Sequence, residues 1–566
     1  MCRLIRFAIQ NAGKVPARPA TVPDHDTALI AEPGIRMPKT STRFTRSLTI
    51  ACVVLAFAPL HVSAAQPNPP DPQAIDQVVQ QAMEQFNVPG MTVSVVHQGK
   101  VYYSEGHGIR EMNQRGKVDE DTLFQIASVS KAFVSASLAV LVDEGKLGWD
   151  DPVIDYLPDF RMYDPWVTRE FTIRDLLTHR SGLPLGAGDL LLFPEAESTR
   201  EEIIHAFRYL KPASSFRSKF DYDNLLYIVA GEVVAKVSGQ SFEDFLEQRL
   251  FKPMGMGECK ATLGRVDRRA EKATPHVDFT GELAITTSKI TDVSAAAGGI
   301  NCSADGMAQW MKLMLNDGKT EDGTQLISSA QMRQLVSPVT LTSRGGQVDE
   351  HTGASMSAYA LGWGVSTFYG EPLLSHGGGL WGMTTYIMLL PQQQLGVFVS
   401  NNLMSSAPRA VGNDIVDLFL LEPGSEKDPD WIAIVAEASN SRKEAGDKAV
   451  AEAAEARAAD SIPSLPLEAF VGTYRDNWYG DIFIEQDDNG QLTFRSGRAA
   501  SLRGPLEHFQ HDTFIARWVD RLLMADSYVS FTMSPEGKVE GIRMKAVSPN
   551  TDFSFDFHDL DLKRVD

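Results

Sequence analysis

The stretch at residues 122–145, TLFQIASVSKAFVSASLAVLVDEG, sets the tightest constraint on this chain. It reads as the end of a loop or strand running into a helix, with Ser128 and Lys131 at the helix start. Residues three apart on a helix share a face, so the Lys131 amine can reach the Ser128 hydroxyl. A serine hydroxyl attacks a carbonyl only when something takes its proton. An amine stripped of water in an apolar pocket can do this, because desolvation lowers its pKa. Ser128 would also sit at the positive end of the helix dipole, which favours developing negative charge. Alone, Ser-x-x-Lys carries little weight, since a chain of this length holds about one or two such matches by chance. The bland alternative is an exposed Ser and Lys on a helix turn, and the company the motif keeps must decide.

With 566 residues and 43% hydrophobic content the chain has room for two to four domains with sizeable cores. Residues 1–64 read as a leader and signal peptide, with Met37 as the start of a signal of normal length. Lys39, Arg43 and Arg46 precede an apolar run at residues 48–60 that is too short to span a bilayer, and small residues suited to signal peptidase follow at 62–65. Cys52 lies inside that run, so a lipoprotein anchor is rejected. The expectation is a protein secreted across the inner membrane into the periplasm, with no membrane anchor after cleavage. The remaining chain holds 45 basic and 70 acidic residues, a formal charge of −25. Such a body repels nucleic acid and anionic membrane surfaces. It keeps two cysteines, Cys259 and Cys302, whose spacing leaves open whether they pair.

Apolar residues at helical spacing predict a helix over 75–86, closed by Asn87-Val88-Pro89-Gly90. A hairpin over 91–104 follows, so a helix, antiparallel strands and the Ser128 helix together suggest an α+β catalytic body. The segment at 190–194 is apolar between turn residues and reads as buried loop rather than lid. Tyr222-Asp223-Asn224 opens an apolar helix over 225–237, and another helix runs over 305–315. Strands are expected at 358–365, 372–375, 384–390 and 395–400, with Ser375-His376-Gly377-Gly378-Gly379 between two of them. Glycines there let a ligand or another chain approach the backbone. Residues 428–461 read as a helical connector with little to bury. From Leu465 onward short alternating strands predict a small antiparallel β-domain.

The chain contains one Ser-x-x-Lys (Ser128, Lys131) and one Tyr-x-Asn (Tyr222, Asn224), followed by His376-Gly377-Gly378. In this order the motifs resemble those of the class C serine β-lactamases and penicillin-binding DD-peptidases, Ser-x-x-Lys, Tyr-x-Asn and Lys/His-x-Gly. The phrases LLTHRSGL, FKPMGMGEC, AAGGINCSADGM and LGWGV add to the likeness, which covers about residues 75–420. The FVGTY opening of the last region resembles the lipocalin-like β-domain appended to some members. The resemblance implies a β-lactamase/transpeptidase-like domain over 71–425, with an antiparallel sheet flanked by helices. A linker over 426–464 and a barrel-like β-domain over 465–566 follow, the last either shaping access to the cleft or the oligomer or serving as a structural spacer, the spacer being at least as good a reading.

Carried over by motif, the resemblance implies Ser128 as the acyl-enzyme nucleophile, with Lys131 and Tyr222 as the coupled proton-transfer unit. Asn224, His376 and Gly378 would bind substrate, and the backbone N–H groups of Ser128 and Gly379 would form an oxyanion hole. No cofactor or metal is expected, and His508 and His511 stand without further ligands at metal spacing. Trp381 reads as packing. One departure bears on substrate. Class C enzymes carry Lys-Thr-Gly, whose cation and hydroxyl grip the β-lactam carboxylate, whereas here stand a partly charged His376 and Gly377 without a hydroxyl. The expected function is therefore a serine hydrolase of a D-amino-acid-type peptide or an ester, with weak β-lactam turnover at most. Its partner is a small-molecule or peptide substrate, cell-wall peptide among the candidates, and oligomerisation is left open. The competing reading is a penicillin-binding sensor or filament-forming scaffold with little turnover.

Overall fold

The protein is described by a computed structural model covering residues 69–343, 345, 347–422, 424–425 and 428–565. The signal-peptide reading falls on residues outside these. Among the described residues no helix is long and apolar enough to cross a membrane.

An eight-stranded antiparallel sheet forms the centre of the larger body. The hairpin of Gly90–His97 and Lys100–Gly108 lies at one edge, and Leu395–Asn401, Met383–Leu390, Glu371–Leu380, Gly364–Phe368, Ser357–Tyr359 and Thr340–Leu341 follow in order. Strand Gly90–His97 is almost wholly buried because both of its faces are covered. Met91, Val93 and Val95 point to one face, where helices Pro72–Gln85 and Ala407–Leu420 bring Ile75, Val79, Val411 and Ile415 into the same core. The opposite face carries Val96, Ile387, Leu389 and Phe398 toward the helices around Ser130–Asp143. That helix is buried at every position from Ser130 to Leu141. A helix apolar all round can only be stable inside a core, and here Phe133 stacks on Trp310 with ring centroids 4.1 Å apart.

The last region closes into an eight-stranded antiparallel barrel whose strands run from Gly472–Asp476 to Leu562–Arg564. Phe470, Tyr474, Phe514 and Phe531 fill it. The α+β body and the barrel are those expected from the sequence. The expected 358–365 strand is interrupted, with Ala360–Trp363 outside both Ser357–Tyr359 and Gly364–Phe368. Gly362 takes φ 80° there, and a side chain on it would meet the Lys131 carbonyl at 2.9 Å. The connector helix, Trp431–Glu455, buries more than its composition suggests. Its first turn sinks Trp431 under Ala407–Leu420, with the indole N–H donating to Asp417 Oδ2 at 2.6 Å.

Cys259 and Cys302 form a disulfide across 43 residues. Strand Asn301–Cys302 pairs with Phe124–Gln125, immediately before Ser128, so the bridge braces the approach to that residue. Closing a loop of this length restricts the unfolded chain, and replacing both cysteines by alanine should cost about 2–4 kcal/mol of stability. A denaturant midpoint unchanged by the double substitution would contradict this.

Candidate functional site

The Ser128 and Lys131 side chains meet where a short 3₁₀ turn, Ala127–Val129, runs into helix Ser130–Asp143. Ala127 takes φ 48°, a left-handed conformation costing a non-glycine residue about 1–3 kcal/mol. The surroundings hold it there: Ile126 N–H donates to Ile300 O at 2.9 Å, and Ile300 N–H donates to Ser130 Oγ. Lys131 is fully buried, with Nζ 3.0 Å from Ser128 Oγ and 2.8 Å from both Asn224 Oδ1 and Ala297 O. Burial outweighs the pull of Asp189 and Asp223 and brings its pKa down to about 7. The carbonyl oxygens of Asn224 and Ala297 can only accept hydrogen bonds. A neutral amine therefore spends its two protons on them and turns its lone pair to Ser128.

Tyr222 and Asn224 arrive on the loop leading into helix Leu225–Ser238. Tyr222 lies against the Ser128 side chain and under the Lys131 amine, which stands 4.9 Å from its ring centroid. Burial pushes the phenol well above its ordinary pKa, so it stays protonated. His179, from the LLTHRSGL phrase, stacks on Tyr222 at 4.1 Å and accepts from the Asp223 N–H through Nδ1. Its part in placing Tyr222 had no signal in the sequence beyond that phrase.

His376, Gly378 and Gly379 lie on the sheet strand Glu371–Leu380, beside the Ser128 turn. A Cβ on Gly378 would stand 2.6 Å from Ile126 O and 3.2 Å from Ser128 N, so only glycine lets the strand approach this closely. Gly379 opens onto the cavity in front of Ser128. His376 differs from the sequence expectation. Its Nδ1 faces the Gly377 carbonyl at 2.6 Å and must donate, leaving Nε2 to accept from the Tyr359 hydroxyl at 2.8 Å. Burial brings its pKa down to about 4, so the ring is neutral rather than partly charged and has both nitrogens engaged.

These groups face a cavity of about 460 Å³, walled largely by apolar side chains including Leu192, Phe193, Ile290, Trp381 and Met404. Residues 190–193 are buried, as the sequence suggested, and Leu192 and Phe193 also line this space. Among the described residues of the wall none carries a cationic side chain at neutral pH apart from the buried Lys131 behind Ser128.

Part of the wall comes from the barrel, which the spacer reading did not anticipate. Asp552, Phe553 and Ser554 line the cavity. Phe553 meets Tyr222 edge-on at 6.2 Å and lies over Gly186, where any Cβ would stand 2.7 Å from its ring. Phe555 packs edge-on against Phe193 and Trp381. The Trp381 indole donates to the barrel's Leu522 carbonyl, and Lys289 bridges Glu195 and the barrel's Asp520. Asn224 directs its amide N–H at Asp189 Oδ2, 2.8 Å away, a partner with no motif to announce it. The site thus combines a hydroxyl, an amine able to be neutral near pH 7, a protonated phenol and open backbone, which suffices for acyl transfer. Among the described residues there is no cluster of metal-ligating side chains.

The Beta-lactamase family profile matches residues 75–421, and the profile described as Domain of unknown function (DUF3471) matches 456–564. The chain is 27% identical over 441 residues to the Aspergillus campestris protein named Unguisins hydrolase ungD', covering 75% of this chain and 79% of that one. It is 24% identical over 336 residues to Protein flp of Staphylococcus aureus, covering 59% and 63%. Among solved structures, the octameric penicillin-binding protein homologue from Pyrococcus abyssi superposes with a TM-score of 0.55 at 22% identity, over 85% of this chain and 99% of that one. A class C β-lactamase from Rhodobacter sphaeroides does so at 0.50 and 22%, over 61% and 98%. The structural likenesses speak for the fold. The profile match over more than half of the sequence goes further, and with it the chain belongs to the Beta-lactamase family of serine hydrolases.

Proposed function

We propose that this protein is a secreted, periplasmic hydrolase that cleaves an uncharged peptide or ester bond through an acyl-enzyme on Ser128, with weak β-lactam turnover at most. The observation that carries this reading is the Lys131 amine, fixed by two acceptors with its remaining direction on Ser128 Oγ. Ser128 Oγ attacks the substrate carbonyl carbon as its proton passes to Lys131. Tyr222, held protonated by burial and so unable to take the first proton, gives its own proton to the leaving group as it receives one from Lys131, and then orients the water that releases the acyl group. Ser128 and Gly379 N–H groups receive the oxyanion. Asn224 holds Lys131, and Gly378 lets the strand bearing Gly379 close on Ser128. The hydrolase name of the Aspergillus relative agrees with turnover rather than a silent sensor.

Substrate preference follows from charge. A neutral His376 and an apolar wall give a β-lactam carboxylate nothing to pair with, whereas an uncharged acyl group loses little on entering. Kinetics on p-nitrophenyl butyrate, a D-alanyl peptide and nitrocefin should give kcat/KM for the ester or peptide at least about tenfold above nitrocefin, the equivalent of one unmade charge-assisted hydrogen bond. Nitrocefin turnover approaching about 10⁸ M⁻¹s⁻¹ would contradict the proposal.

A further inference from the structure

We infer that Asp189, clamped by Ser554 of the C-terminal barrel, is a positioning residue for the hydrolase reaction, and that the barrel thereby helps to hold the proton-accepting amine on Ser128. The inference rests on the reading of Lys131 as the base. It starts from an unbroken chain of contacts. Ser554 Oγ donates to Asp189 Oδ2 at 2.9 Å, Asn224 Nδ2 donates to the same oxygen at 2.8 Å, and Asn224 Oδ1 accepts from Lys131 Nζ at 2.8 Å. Asp189 therefore orients the Asn224 amide, leaving its carbonyl on the lysine. The barrel holds the Asp189 loop as well. Asp556 accepts the backbone N–H groups of Gly188 and Leu190, the residues on either side of Asp189, at 2.6 and 3.0 Å. Gly186 N–H in turn donates to the Tyr222 backbone carbonyl at 2.8 Å, so one loop touches Tyr222 directly and Lys131 through Asn224.

The bonding pattern also bears on the protonation of Asp189. An ionised buried carboxylate draws donors to both oxygens, yet both donors here reach Oδ2, while Oδ1 is buried with no partner among the described residues. A carboxyl group with one oxygen left without a donor stabilises its anion poorly, and with burial this favours the neutral acid. The groups facing Asp189 agree with it: Asp223 and Asp556 are like charges or neutral acids, Asn224 and Ser554 are neutral, and Lys131 is the single cation. Burial pushes Asp189 up to about 8. Around Lys131 the remaining titratable neighbours are Asp223, which burial raises to about 7, and Tyr222, Tyr227, His179 and His376, which are held in their neutral forms. A neutral Asp189 orients Asn224 without exerting the pull that its ionised form would add to that of Asp223 on Lys131.

The test follows the rate at which an ethoxy fluorophosphonate labels Ser128 across pH 5–9, read by intact mass on the full chain. Asp189→Asn preserves an acceptor for both donors and mimics the neutral acid. It should keep the labelling rate within about threefold and leave the acid limb where the wild type has it. Asp189→Leu should lose about 10–100-fold at an unchanged melting temperature, and Ser554→Ala about three- to tenfold. An acid limb moved down by more than one pH unit in Asp189→Asn would overturn the neutral-acid assignment. Equal rates in wild type and Asp189→Leu would overturn the positioning role. Should Asp189→Leu fail to fold, a wild-type rate in Ser554→Ala overturns the barrel's share. Loss of all labelling in wild type would count against the Ser128 reading beneath it, and so against the inference.

Discussion

Ser128→Ala should abolish turnover, lowering kcat by on the order of 10³–10⁶-fold while leaving the fold and the binding of a neutral ester nearly unchanged. The size of the loss follows from the position of the hydroxyl. It stands 3.0 Å from a buried amine, on a turn whose left-handed Ala127 is held by the Ile126–Ile300 contact and by close approach of Gly378. Among the described residues no other hydroxyl hydrogen-bonds with Lys131 Nζ. Ser130 Oγ faces Ile300 N–H, and Ser135 Oγ faces the Lys131 carbonyl. Removing Oγ leaves a methyl in an apolar cavity, which costs little stability, so the melting temperature should move by no more than a few degrees. A variant that keeps more than about a tenth of the wild-type kcat would place the chemistry elsewhere.

Lys131→Met should cost about 10²–10⁴-fold in kcat/KM, because it removes the proton acceptor and keeps the volume of the buried stem. Lys131→Arg should do no better, since a guanidinium remains charged and has no lone pair to offer. The wild-type pH profile carries the same information. Lys131 must be neutral to accept a proton and is brought down to about 7 by burial, so kcat/KM should climb about tenfold per pH unit below that value and level off above it. The two histidines near the amine do not produce that limb, because His376 sits at about 4 and His179 is depressed well below its ordinary value. A profile flat from pH 5 to 8, or one that survives in Lys131→Met, would remove the lysine from the reaction.

The parts of this site that could be read from sequence are those whose geometry is local. Ser128 and Lys131 are three residues apart, so a helix alone brings them together. Tyr222 and Asn224 open the apolar helix Leu225–Ser238, and the glycines after His376 mark a close approach. The rest comes from distant segments that carry no pattern of their own. Asp189 immediately precedes the apolar run at 190–194, which reads as packing. Ser554 and Asp556 are ordinary loop residues of the barrel more than 360 positions away. The neutral state of His376 depends on burial and on Tyr359, neither of which the His-x-Gly triplet reveals. Trp431 shows the same limit at the level of fold: a charge-rich helix looks solvated until one aromatic at its start finds Asp417 beneath the neighbouring helix.

The central claim is that Ser128 forms a covalent acyl-enzyme which then hydrolyses. Intact-protein mass spectrometry after quenching with p-nitrophenyl butyrate, and separately with a fluorophosphonate, tests it most directly. The account predicts one butyryl adduct that disappears as free butyrate accumulates, one stable phosphonyl adduct mapping to Ser128, and neither in Ser128→Ala. An unmodified chain under both reagents, or adducts of equal yield in Ser128→Ala, would contradict it.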